Sequence, residues 1–320
     1  MPTAANAESS SSAPDPLVRL ATATSSVAVS RLGAELRSWS VDGRSLLWSG
    51  DPAWWPKRSP VLFPVVGWTR NGEMRIKGRR HPLALHGFAA TQAFELVSCT
   101  PDGASLRLRD TAATRALYPF AFELAIDYRL TETSLAAAFT VHNPGPEPMP
   151  YALGLHPGFA WPLADGRGQD HRIVFAGDVS PDVPVIAPGG LISPRRRRLP
   201  LDGRVLKLAP ELFANDALCF IDAASPNLAY ENAGGQAIAI SVEDFPHVAL
   251  WTKPGAPFLC VECWTGYSDP ERFEGDIFDK PSMRILEPGA SAPHKVTYAF
   301  RSYGFRSLGV ETANSLSSER

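Results

Sequence analysis

The chain has 320 residues, 44% of them hydrophobic, and a formal net charge of −2. That apolar content is enough for a sizeable core, and the near-neutral charge gives no basis for a general nucleic-acid or anionic-membrane binder. Its 4 cysteines are too few for a disulfide scaffold and fit a reducing compartment.

The opening stretch MPTAANAESSSSAPDP has neither the positive n-region nor the apolar h-region of a secretory signal. Its Ser, Ala and Pro content predicts a disordered leader over residues 1–15. SSVAVSRLGAELRSWSVDGRSLLW then reads as a series of short strands with a turn at Asp42-Gly43. DTAATRAL is the one segment with helical character, one turn or two. In FAFELAIDYRLT, Phe120, Phe122, Leu124, Ile126, Tyr128 and Leu130 share one face, while Glu123, Asp127, Arg129 and Thr131 share the other. This is the period of a half-buried strand. SLAAAFTVHNPG repeats it with Leu135, Ala137, Phe139 and Val141 in phase, and the short polar link TETS predicts an antiparallel hairpin.

Further on, prolines flank Arg195–Arg198 in SPRRRRLP and predict a solvated basic loop; contact with a phosphate or an acidic partner is the alternative. QAIAISVED, HVALW and KVTYAF return to strand alternation, and the polar end predicts a flexible tail over 307–320. No apolar run approaches the roughly 20 residues of a membrane span, so a soluble, cytoplasmic protein is expected. With 30 prolines, 25 glycines, no βαβ rhythm and no repeat, the fold class is all-β. The expected architecture is a large antiparallel β-sandwich, one domain over residues 16–306.

A few residues stand out against this background. His86, in LALHGFAAT, precedes Gly87, where backbone can turn or approach a ligand closely. His156 ends the apolar run YALGLHPGFAWP and is held by Pro157. Each is either a satisfied structural histidine or part of a site. Glu262, in PFLCVECWTGYSD, shares a strand face with Phe258 and Cys260, opposite Leu259, Val261 and Cys263. A carboxylate on an apolar strand costs several kcal/mol, on the order of a lost hydrogen bond or more, unless it is paired or shifted in pKa. Asp216, after Asn215, is either turn chemistry or an oxygen donor to ligand hydroxyls. Cys260-x-x-Cys263 lacks a second such pair, and residues three apart on a strand point to opposite faces, so no metal site is expected.

Taken in order, the segments LGAELRSWSVDGRSLLW, SPVLFPVVGWTRNGEMRIKGRRHPLALHGFA, YPFAFELAIDYRL, VHNPGPEPMPYALGLHPGF, ELFANDALCF and CVECWTGYSD resemble the aldose 1-epimerase (galactose mutarotase-like) family, most closely its bacterial LacX-like branch. The resemblance implies a β-supersandwich whose concave face takes a small-molecule sugar, with no cofactor. It implies catalytic roles for His156, Glu262 and His86, and substrate binding by Asp216. The family's arginine falls on Arg70, with Arg58 as its rival, because Gly67-Trp68 stands where a glycine-arginine pair is common. The implied reaction is exchange of α and β anomers of a free aldose, with Glu262 as base and His156 as acid. The apolar strand is expected to raise the pKa of Glu262, and the neighbouring carboxylate to raise that of His156. Phe88 or Trp161 is expected to pack on the sugar. Competing readings are an epimerase of a phosphorylated hexose and a non-catalytic carbohydrate-binding protein on the same fold.

Overall fold

The alternation at residues 120–142 closes into the hairpin it predicts. Strand Glu123–Leu130 pairs antiparallel with Ser134–His142, from Glu123 opposite His142 to Leu130 opposite Leu135. Leu124, Ile126, Tyr128, Leu130, Leu135, Ala137, Phe139 and Val141 are all buried. The hairpin lies inside a nine-stranded sheet that also holds Gln236–Glu243 and the long strand Ser291–Ser302. The computed structural model describes residues 17–164, 171–222 and 227–302; the expected leader and tail lie outside the described residues.

A second, six-stranded sheet runs in the order Leu218–Phe220, His247–Trp251, Phe258–Trp264, Gly154–Leu155 and Val61–Leu62, with Gly158–Ala160 also pairing on Phe258–Trp264. One contiguous apolar core joins the two sheets. It takes Ile126, Phe139, Ile240 and Tyr298 from the first, and Leu155, Val248, Leu259, Val261 and Cys263 from the second. The fold is thus an antiparallel β-sandwich. Asp42 and Gly43 turn between short strands with positive φ, as their residue types allow. The segment at 110–117 forms one short helix, Ala112–Leu117, whose N-cap Thr111 and Thr114 satisfy each other's backbone N–H groups.

The basic run departs from expectation. Arg195–Arg198 is part of strand Leu191–Arg198, which pairs with Asp182–Ala187 in a two-stranded arm. Proline is tolerated there because a ribbon leaves one row of backbone N–H groups unpaired, and the register shifts between Pro184 and Ile186. Three of the four arginines are tethered by their side chains. Arg198 meets Asp182 at 3.1 Å and Arg196 meets Asp222 at 2.7 Å. Arg197 donates to the carbonyls of Leu212 (3.1 Å) and Asp216 (3.4 Å). No helix among the described residues is long and apolar enough to cross a membrane.

Candidate active site

The six-stranded sheet has two different faces. Leu259, Val261 and Cys263 point into the main core. Phe258 and Cys260 lie with Trp48 in one small apolar cluster on the opposite face, and Trp264 lies with Cys219 and Ala249 in another. Glu262 sits between them, 2% exposed. The two cysteines of the CxxC pair therefore belong to opposite faces and are both free thiols.

Strand pairing brings His156 to Glu262. Leu155 is opposite Cys263 and Gly158 is opposite Cys260. The same register sets His156 against Glu262. The chain at this point is fixed on both sides, by His156 N–H on the Pro60 carbonyl (3.2 Å) and by Val261 N–H on the Pro157 carbonyl (3.2 Å). His156 Nε2 stands 3.2 Å from Glu262 Oε1, and the other carboxyl oxygen accepts from Trp264 Nε1 at 3.0 Å.

His86 comes from a separate turn and lies edge-on to His156, with ring centroids 5.6 Å apart. Its backbone has φ 65, and Gly87 follows at φ 73. A Cβ on Gly87 would stand 2.3 Å from the Phe63 carbonyl oxygen, so glycine is required there. Gly67 grips His86 twice, accepting from its main-chain N–H at 3.0 Å and donating to its Nδ1 at 3.0 Å. With Nδ1 an acceptor, the proton of the neutral ring is on Nε2, which makes that atom a donor.

A cavity of about 450 Å³ is lined by His86, His156, Glu262 and Asp216 together. Asp216 lies at the Glu262 end and adds to the upward push on that carboxyl. Its Oδ1 accepts from Ala217 N–H at 2.7 Å. Four of the five expected site residues therefore meet. Arg70 does not join them: its guanidinium pairs with Glu274 at 2.9 Å, and it is not among the residues lining the cavity. Arg58 is also absent from the lining, its Nη1 donating to the Arg37 carbonyl at 2.7 Å. Among the described residues, the lysine or arginine that does line the cavity is Lys57. Phe88 is packed in the core against Phe63 and Tyr118, and Trp161 packs on Phe213. The cavity's aromatic walls are Trp55, Trp68, Trp251 and Trp264 instead. Sequence reasoning had a signal for Trp264, two residues from Glu262 and so on its face. It had none for Trp55, Lys57 or the arm residues Ile186, Gly190 and Ile192, which reach the cavity only through tertiary packing. Among the described residues no group of three or more His, Cys, Asp or Glu side chains is placed to hold a metal ion.

Burial dominates the electrostatics. It pushes the Glu262 carboxyl well above the ordinary carboxylate range, against the bond from Trp264. It pushes His156 well below the ordinary imidazole range, helped by His86 and by the positive charge of Lys57. The expected rise at His156 is thus reversed. Burial, then Lys57, also takes His86 down to about 3, although the residue is only partly buried and lines the cavity. Both members of the buried pair disfavour charge, which favours states in which one proton is shared between them.

These shifts set a stability profile. Below about pH 6.5 an unfolded chain protonates both histidines, whereas burial resists that in the folded protein. Stability from these groups then falls as pH falls. The raised Glu262 carboxyl contributes with the opposite sign: it keeps its proton to higher pH in the folded protein than in the unfolded chain, so its contribution falls as pH rises above about 4.3. In urea unfolding from pH 5 to 9, wild type should show both slopes, whereas Glu262→Gln should lose the alkaline one. An unchanged difference between the two proteins across that range would show that burial does not raise the Glu262 carboxyl.

Residues 16–299 match the aldose 1-epimerase family, and the chain belongs to it. It is 30% identical over 270 residues to the plasmid-encoded protein LacX of Lactococcus lactis subsp. lactis, covering 80% of this chain and 90% of that protein. Its fold is also that of a galactose mutarotase related enzyme from Lactobacillus acidophilus, at TM-score 0.83 and 27% identity, covering 90% of this chain and 98% of the other. A galactose mutarotase-like protein from Lactobacillus casei superposes with TM-score 0.84 at 25% identity, covering 89% and 100%.

Proposed function

We propose that this protein is a cofactor-independent aldose 1-epimerase that exchanges the α and β anomers of a free aldose. The observation that carries the reading is the His156–Glu262 pair, 3.2 Å apart, both groups buried and both lining the cavity. Anomer exchange needs a proton taken from the C1 hydroxyl and one given to the ring oxygen. With the pair in its carboxylate–imidazolium form, Glu262 takes the C1 proton while His156 delivers its own to the ring oxygen. The C1–O5 bond breaks and C1 becomes the aldehyde carbon. The pair is left as carboxylic acid and neutral imidazole, the form that burial already favours. After rotation about C1–C2 the two protons return and the ring closes on the other face. The enzyme carries the same single proton before and after. His86, donating through Nε2, holds a sugar oxygen and supports charge as the ring opens. Asp216 accepts from a sugar hydroxyl.

The test is NMR exchange between anomers across free and 6-phosphorylated sugars. Exchange of free glucose or galactose is the expected result, with little change on alanine replacement of Arg195, Arg196 and Arg198, the last two of which pair with Asp222 and Asp182; Arg197 is kept because it donates to the Asp216 carbonyl. Catalysis confined to the phosphorylated sugars, and lost in that variant, would move the protein to the phosphorylated-hexose reading.

A further inference from the structure

The segment from Asp51 to Arg58 brings two side chains to His156 that act on its charge in opposite senses. Trp55 stacks on the imidazole, with ring centroids 4.9 Å apart and an interplanar angle of 29°. The stack is built in from several sides. Trp55 N–H donates to the Asp51 carbonyl at 2.9 Å, and Trp48 Nε1 donates to the Trp55 carbonyl at 2.8 Å. Gly158 leaves room for the indole, since a Cβ there would meet Trp55 Cζ3 at 3.2 Å. Phe258 backs the same ring at 5.5 Å. An aromatic face at this distance attracts a cation, more strongly where water is displaced. Two residues on, Lys57 lines the same cavity with an exposed side chain, and its charge repels an imidazolium. The other groups facing His156 are Glu262 across the strands, His86 at its edge and Trp251, whose ring is 5.8 Å away at 83°.

We propose that Trp55 and Lys57 are positioning residues that set how readily His156 carries the shared proton, the indole face favouring imidazolium and the ammonium opposing it. Neither need touch a reacting atom. This rests on the acid–base reading of the pair, and it names the neighbours that decide which of the pair's two forms is populated. Because ring opening starts from imidazolium and carboxylate, a stack that favours imidazolium raises the fraction of enzyme ready to react. The ammonium makes that imidazolium a stronger acid.

The experiment measures the acid limb of kcat/KM for anomer exchange, together with the titration of His156 in 13C-histidine-labelled protein, assigned by its loss in His156→Asn. Trp55→Leu should move both to lower pH by about half a unit or more. Trp55→Phe, which keeps a ring, should move them less. Lys57→Met should move both to higher pH. Loss of packing alone would lower the rate in both variants without shifting the limb in opposite directions. Shifts of the same sign in Trp55→Leu and Lys57→Met, or a shift in neither, overturn the proposal. The titration is independent of catalysis: full activity in Glu262→Gln would remove the acid–base reading while leaving the histidine shifts to be judged by themselves.

Discussion

Glu262→Gln should abolish anomer exchange while the protein stays folded and still binds sugar. Glutamine matches the volume of glutamate and can still accept from Trp264 Nε1, which now bonds Oε2 at 3.0 Å. What it lacks is the capacity to take a proton from a C1 hydroxyl. Loss of a positioned general base typically costs about 10²–10⁴-fold in rate, and the fall should appear in kcat rather than KM. The folded protein should not suffer, because glutamine has no charged form to bury, and burial already disfavours the charged form of Glu262. Line-shape or magnetisation-exchange NMR on glucose and galactose gives the rate, and sugar titration gives the binding. A variant within a few-fold of wild-type kcat would eliminate Glu262 as the base, whatever its effect on affinity.

The sheet halves of the molecule were legible in the sequence because period-two alternation is a local property. Leu124 to Leu130 and Leu135 to Val141 declare their buried faces without any knowledge of what covers them. Glu262 was legible for the same reason: a carboxyl on an apolar strand needs an explanation that its neighbours do not supply. Its partner was not. His156 meets Glu262 because Gly154–Leu155 and Gly158–Ala160 pair with Phe258–Trp264, about a hundred residues later in the chain, and no local pattern encodes that register. Only resemblance linked them. The basic run was misread because prolines mark loops in most contexts, yet a two-stranded arm accepts them. Arg70 lies outside the cavity lining for a different reason. Its main-chain N–H is held by Asp269 Oδ2 at 2.8 Å, beside the cavity, but its side chain turns outward to Glu274. The cation of the cavity instead arrives on the loop at Lys57, through tertiary packing.

Gly67→Ala should be among the most damaging single-atom changes in this protein, in stability and rate together. Gly67 has φ 75, and a Cβ there would lie 2.1 Å from Ser268 Oγ and 2.9 Å from Ser268 N. The left-handed backbone alone costs a non-glycine residue about 1–2 kcal/mol, and forcing an extra carbon into a packed site adds about 1–3 kcal/mol. Ser268 has little freedom to retreat, because its Oγ accepts from Trp68 N–H at 2.9 Å and the next residue, Asp269, donates its N–H to the Trp68 carbonyl at 2.8 Å. Asp269 is itself held by the buried Lys280 at 3.0 Å. The strain is therefore passed to the backbone of residues 67 and 68. That backbone supplies the N–H that keeps His86 Nδ1 an acceptor and its Nε2 a donor. Displacement by about 1 Å at a site of this kind costs on the order of 10²-fold in rate. Gly78→Ala is the matched control. Gly78 has φ 76 but nothing within 4 Å of a built Cβ, so it should lose only the backbone term and retain full activity. Urea unfolding and exchange rates on the two variants separate the contributions: equal stability losses would mean that Ser268 yields freely, and wild-type exchange in Gly67→Ala would mean that His86 does not need this N–H to act.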